Sequence, residues 1–195
     1  MPRNPRTNEP PDPRDPGTVR ARKPLDRRQV VFLVAFVVLL GGGFTLLSLN
    51  AVDRVFVVPF TALVAKVSGW LLDVIGQDVT MRGTQIVSPR FAVDIKNGCN
   101  GLETVVVFAS AVLAFPAAWR TKLFGLVGGI AAIQVINLVR VVALFLTGAY
   151  FPSFFDSSHT VVWQSIVVAC GVLLFLVWAS RWAAPRPPQH AEAQT

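Results

Sequence analysis

Charge is scarce in this chain: 15% of its 195 residues are Asp, Glu, Lys or Arg, against about a quarter in a soluble domain. That deficit, beside 53% hydrophobic residues, excludes an ordinary water-soluble globule. Cysteine is scarcer still. Two cysteines cannot build a disulfide-stapled secreted scaffold or a multi-thiolate metal cluster. Two histidines leave little for a histidine-rich metal site, and no cofactor motif is present. The net charge of +7 raises nucleic-acid binding as a reading, but the distribution of that charge argues for a membrane protein instead.

Met1–Arg28 holds seven of the fourteen prolines and eight of the eighteen Lys and Arg residues. Such a segment buries too little apolar surface to offset its ordering entropy, so residues 1–29 read as a disordered cytoplasmic tail. A basic arm for nucleic acid is the competing reading. Arg27 and Arg28 abut a hydrophobic run, which favours a topology signal, and no nucleic-acid partner is expected. Residues 183–195, rich in Pro and Ala, read as a second disordered tail, and residues 30–182 as the membrane-embedded domain.

Within that domain Val30–Leu49 carries no charge and is long enough for a hydrocarbon core of about 30 Å. It exceeds a signal-peptide core and lacks an Ala-x-Ala cleavage site. Leu102–Trp119, Leu123–Tyr150 and Val161–Ala179 are three further spans, the second with Arg140 as its one internal charge. Val55–Ile75 places Pro59, Ala62, Lys66, Gly69 and Asp73 on one helical face. An amphipathic helix at the interface fits that face; a fifth span is the alternative. Gly76–Gly98 is polar, and the alternation at Val79, Met81 and at Phe91, Val93, Ile95 around Ser88-Pro89-Arg90 predicts a two-stranded hairpin resting on the helices. The expected fold is therefore an all-α membrane bundle of about four spans, with an amphipathic helix and a small hairpin on the outer side. Counted with the N-terminus inside, twelve Lys and Arg fall in inner segments and five in outer ones, as the positive-inside rule requires. A five-span count scores almost as well.

Three residues share one depth. Cys99 precedes the second span. Arg140 lies about 26 Å into the third at 1.5 Å per residue, and His159 stands just before the fourth. A five-span topology moves all three together, so the clustering survives the choice. Arg near mid-span costs roughly 2.5–3.5 kcal/mol on insertion scales, which makes Arg140 a functional candidate; the plainer reading is a structural pair with Glu103 or Asp156. Asn100 and Glu103 have the spacing of a helix N-cap and its acidic N3 residue. A helix start behind the thiol would lower its pKa and offer amides to an oxyanion, while Gly98 and Gly101 let a substrate backbone approach. A thiol, an imidazole and a cation are together the parts of acyl transfer through a thioester. A metal site built on Cys99, His159 and Asp156 is the rival use, a weak one with so few ligands; Asp156 could equally orient His159. Cys170, about 16 Å deeper, reads as a packing residue, and His190 falls in the tail. Trp70, Trp119, Trp163, Trp178 and Trp182 read as interface anchors.

At these residues the sequence resembles the exosortase/archaeosortase family of membrane-embedded cysteine transpeptidases. The resemblance is carried by Asn97-Gly-Cys99-Asn-Gly-Leu-Glu103, by Asn137-Leu-Val-Arg140-Val and by His159 before the next span, and runs from about Leu46 to Trp178. The short chain and the Asn-Gly-Cys-Asn-Gly context look most like the exosortase H type. The resemblance implies catalytic Cys99, Arg140 and His159, with Asn97, Asn100, Glu103, Asn137 and Asp156 as supporting positions. It also implies exported substrates with a C-terminal tail of short motif, hydrophobic span and basic cluster, the motif resembling Ile-Pro-Thr-Leu-x-x-Trp-Gly. They would be cut at an outward-facing site in the cytoplasmic membrane and passed to an acceptor. The rival class is a non-enzymatic membrane assembly factor with a structural intramembrane Arg.

Overall fold

The computed structural model describes residues 26–96, 98–155 and 162–183. Helix α1 (Arg27–Leu47) starts three residues ahead of the apolar run, because the Asp26 N–H donates to Gln29 Oε1 at 3.1 Å and closes the first turn. No residue of α1 is buried. A stripe at Phe32, Ala35, Phe36, Leu40, Gly43 and Leu47 is half-buried, and the rest of its apolar surface is exposed, as suits lipid. After Ser48 and Leu49 comes α2 (Asn50–Val74). It contains a π-helical turn, Asp53–Val57, just ahead of Pro59. A proline lacks the N–H and presses its ring on the carbonyl four residues back, here Val55, so the ladder widens at that point.

Three short antiparallel strands follow in the order β1 (Thr80–Arg82), β2 (Gln85–Val87), β3 (Ala92–Asp94). Met81, Ile86 and Val93 share one row, and Ile86 is completely buried. The two-stranded hairpin expected from alternation is thus a three-stranded sheet. All three strands are three residues long, and the middle one, Gln85-Ile86-Val87, has two apolar residues in succession, so it shows no alternation. Its turn to β3 is the expected Ser88–Arg90, closed by the Ser88 N–H on Phe91 O at 2.9 Å.

Helix α3 (Leu102–Ala114) stops where Phe115 turns extended, as the residue before Pro116 must. Helix α4 (Trp119–Tyr150) and helix α5 (Trp163–Ala183) complete the bundle. By length and composition α1, α2, α4 and α5 could each cross a membrane. The chain is an all-α membrane protein with a small sheet. The membership of the long set differs from the sequence expectation. Val55–Ile75 belongs to a 25-residue helix, and the expected span from Leu102 is a helix of 13 residues, cut short by Pro116.

Successive contacts fix the height of each element along α4. At its start Trp178 of α5 donates its indole N–H to Thr121 O at 3.1 Å. Phe108 of α3 then packs against Gly129, and Phe108, Val112, Ile133 and Trp178 form one core cluster. Toward the other end Val64, Ala65 and Leu72 of α2 join Ile86, Ile95, Val141 and Phe145 in a second cluster. Phe91 lies edge-on to Phe145 at 5.8 Å, and Tyr150 donates to Gln77 Oε1 at 3.2 Å. So α2 and the sheet flank the C-terminal third of α4, while α3 flanks its first part and α1 packs on α3, with Gly43 against Val106. The buried face of α2 is Thr61, Val64, Ala65, Ser68, Gly69 and Leu72. Of the face expected to be polar, Pro59, Lys66 and Asp73 are exposed and Ala62 is half-buried, but Gly69 is buried, with Met81 of β1 seated against it.

Candidate active site

The turn Gly98–Gly101 joins the sheet to α3. Gly98 and Gly101 have φ of +91° and +81°, left-handed values that favour glycine over residues with a Cβ. Gly101 also lies where a Cβ would stand 3.1 Å from Asn137 Cγ and 3.2 Å from Gln134 Nε2. The turn therefore rests directly on α4.

Asn100 is almost fully buried and braces the turn. Its Nδ2 donates to Thr61 Oγ1 of α2 at 2.9 Å, and its Oδ1 accepts the Leu102 N–H at 3.1 Å. The Thr61 hydroxyl donates in turn to Val57 O at 2.7 Å. The helix cap differs by one position from the sequence expectation. Gly101 is the N-cap residue, so Glu103 sits at N2, and Asn100 caps from one residue earlier by an Asx-type turn.

Arg140 reaches the same turn from α4. It is 2% exposed. Its Nη1 donates to Gly98 O at 3.3 Å, and its Nη2 lies 3.8 Å from Cys99 Sγ. One turn lower, Asn137 Nδ2 donates to Cys99 O at 3.2 Å. Two side chains of α4 thus hold the backbone of the turn, Asn137 at Cys99 O and Arg140 at Gly98 O, and Arg140 also touches the sulfur. The structural-pair reading of Arg140 with Glu103 is not what the geometry gives. Two guanidinium nitrogens go to the Cys99 turn, and Glu103 acts on both groups only through its field.

Burial pushes the Cys99 thiol above its ordinary pKa, Arg140 pulls it down, and Glu103 pushes it up. Desolvation is the largest of the three. This overturns the expectation that the helix start lowers the thiol's pKa. The first N–H of α3 is already taken by Asn100, and the Cys99 N–H donates to Lys96 O at 2.9 Å. The net direction favours the thiol over the thiolate.

His159, Asp156 and Asn97 lie outside the described residues. Cys170 sits within α5, and neither cysteine is in a disulfide. Two positions escaped the sequence reading. Thr61 anchors Asn100, and Gln134 abuts Gly101. Both amide atoms of Gln134, together with Asn137 Oδ1 and Arg140 Nε, are buried and make no hydrogen bond among the described residues. The available signal was spacing: Gln134, Asn137 and Arg140 are polar at three-residue intervals in the otherwise apolar stretch Leu123–Leu146.

The arrangement can supply a nucleophilic sulfur, a cation beside it and a backbone fixed from two helices, which is the equipment of nucleophilic acyl transfer. No curated protein and no solved structure matches the chain significantly. The family model of the transmembrane exosortases matches residues 25–180, a stretch that holds every element from α1 through most of α5, and with it the Cys99 turn and Arg140: the chain belongs to the transmembrane exosortase family.

Proposed function

We propose that this exosortase is a cysteine peptidase of the transpeptidase kind, acting on the C-terminal sorting tail of exported proteins. The observation that carries the reading is the approach of Arg140 Nη2 to Cys99 Sγ, 3.8 Å, between groups 41 residues apart in sequence. In the reaction His159 takes the Cys99 proton and the thiolate attacks the scissile carbonyl carbon. Arg140 stabilises first the thiolate and then the tetrahedral oxyanion. Collapse breaks the peptide C–N bond, and the proton on His159 goes to the leaving amine. The acyl group remains on Cys99 as a thioester until an acceptor nucleophile displaces the sulfur.

The depth of the site supports this reading. Arg140 lies about 32 Å along α4 from Trp119 at 1.5 Å per residue, one hydrocarbon thickness of about 30 Å from the end that bears Arg120, Lys122 and Arg181. The turn would then lie at the opposite interface, with α2 and the sheet forming a layer over it. Charge distribution favours the outer face for that layer. A tail anchored by its own hydrophobic span would present its motif at this height.

The test is co-expression with an epitope-tagged protein bearing the tail. Cys99→Ala and His159→Ala leave the substrate at its precursor size, and wild type shortens it. Normal processing by Cys99→Ala overturns the assignment. The rival, a non-enzymatic assembly factor, draws on the Arg140 bond to Gly98 O, which could serve structure alone. It requires that Cys99→Ala retain full function.

A further inference from the structure

Asn137 and Arg140 hold the Cys99 turn from α4. The residues of the turn that face α1 and α2 open instead onto a cavity of about 160 Å³, with no lining residue from α4. Its size is that of an engineered cavity of about 150 Å³ that takes up benzene, so it admits a group of about six heavy atoms. Leu47, Val57 and Leu102 supply apolar wall; Ser48, Gly98 and Glu103 supply its polar part.

The polar part is one-sided. The Ser48 hydroxyl proton is used on Phe44 O at 2.9 Å, which leaves its oxygen as an acceptor. Glu103 brings a carboxylate, an acceptor only. Asn100, also at this cavity, is turned to Thr61 and Leu102. The cavity reaches the residues on either side of the nucleophile in the chain, Gly98 and Asn100, and a Cβ on Gly98 would lie 3.6 Å from Glu103 Oε1.

We propose that this cavity is a side-chain subsite for a residue flanking the scissile bond. It accepts a side chain of up to about six heavy atoms that donates hydrogen bonds, a hydroxyl, amide or ammonium, and rejects a carboxylate. The proposal rests on the peptidase reading of Cys99 and names its substrate chemistry. The reason is electrostatic. A carboxylate brought against Glu103 in this pocket meets like charge, whereas a donor pairs with the Glu103 carboxylate or the Ser48 oxygen.

The experiment scans the two residues flanking the cleavage point of the tagged substrate through Thr, Lys and Asp, with the full-length enzyme in membranes. At one of them, wild type processes the Thr and Lys forms about tenfold faster than the Asp form, a difference typical of one unfavourable charge contact. Glu103→Gln brings the three within about threefold, and Glu103→Lys reverses the order in favour of Asp. Ser48→Leu, which fills the cavity from its mouth without touching the charge, narrows acceptance to the smallest side chains. It keeps the proposal testable if Glu103→Lys fails to accumulate. An unchanged Thr, Lys and Asp ranking in the Glu103 variants at both positions, with Cys99 still required, overturns the subsite and leaves the peptidase reading intact. Processing by Cys99→Ala overturns both.

Discussion

The two halves of α4 are packed by opposite means. From Trp119 to Ile133 the contacts are made by volume: Gly125 takes the indole of Trp178, and Gly129 takes the ring of Phe108. The polar contacts there, the Trp178 indole on Thr121 O and Lys122 Nζ on Leu113 O at 2.6 Å, both go to backbone carbonyls. From Gln134 onward the helix turns polar side chains into the bundle, and two of them hold the Cys99 turn. Apolar contact is non-directional, so the first half specifies how closely the helices approach. Hydrogen bonds in a poorly solvated interior are directional and costly to lose, so the second half fixes atoms. That difference predicts that substitutions in the first half alter stability, and those in the second alter chemistry.

The largest effect is expected at Arg140. Arg140→Gln removes the cation beside the sulfur and lowers the processing rate by about 10²–10³, the usual cost of one oxyanion-stabilising group, read from the precursor-to-product ratio over time. Arg140→Lys restores only part of it, because a single ammonium cannot serve both Gly98 O and the sulfur as the guanidinium does. Gly129→Leu, in the other half, forces atoms into the Phe108 ring. It destabilises by about 1–3 kcal/mol, seen as a lower unfolding temperature in detergent, with normal processing per folded enzyme. Reduced turnover of the folded fraction there would break the contrast.

Asn137→Ala tests the polar half more gently. It leaves the Cys99 carbonyl without its donor, a loss of about 1–3 kcal/mol for a buried acceptor. It slows processing more than it lowers the unfolding temperature. Alkylation then sharpens the electrostatics. With burial holding the thiol above its ordinary pKa, the rate of Cys99 labelling by iodoacetamide rises through a midpoint on the alkaline side of a normal cysteine. Arg140→Gln moves that midpoint further up, since the cation that favours thiolate is gone. Glu103→Gln moves it down, since the anion that opposes thiolate is gone. A shift of the opposite sign in either variant contradicts the assigned field. The smallest effect belongs to Gly128→Ala. That position has open space around it, and both stability and processing stay at wild-type level.

Much of this was legible in the residues themselves. The scarcity of charge, the spacing of the apolar runs and the isolated Arg140 gave the membrane class and its most informative side chain. The order Cys99, Arg140 placed both at one height because helical rise is constant. Less legible were features that depend on three-residue signals or on partners far away in the chain. Strand β2 has three residues with Ile86 and Val87 in succession and so no alternation, and Thr61 matters only because Asn100 meets it 39 residues later. The thiol's pKa was misjudged for the same kind of reason. A helix start was visible, but not that Asn100 had already taken its first amide, nor that burial would outweigh Arg140.

Composition and periodicity alone determined that the chain enters a bilayer and that sulfur and guanidinium share a stratum, because hydropathy and rise per residue are local quantities. Only the tertiary structure decided that Arg140 turns toward Cys99, that Glu103 borders a cavity and that burial pushes the thiol's pKa up. Those outcomes depend on the direction in which a side chain points and on what desolvates it, and both are set by neighbours that only the folded chain brings together.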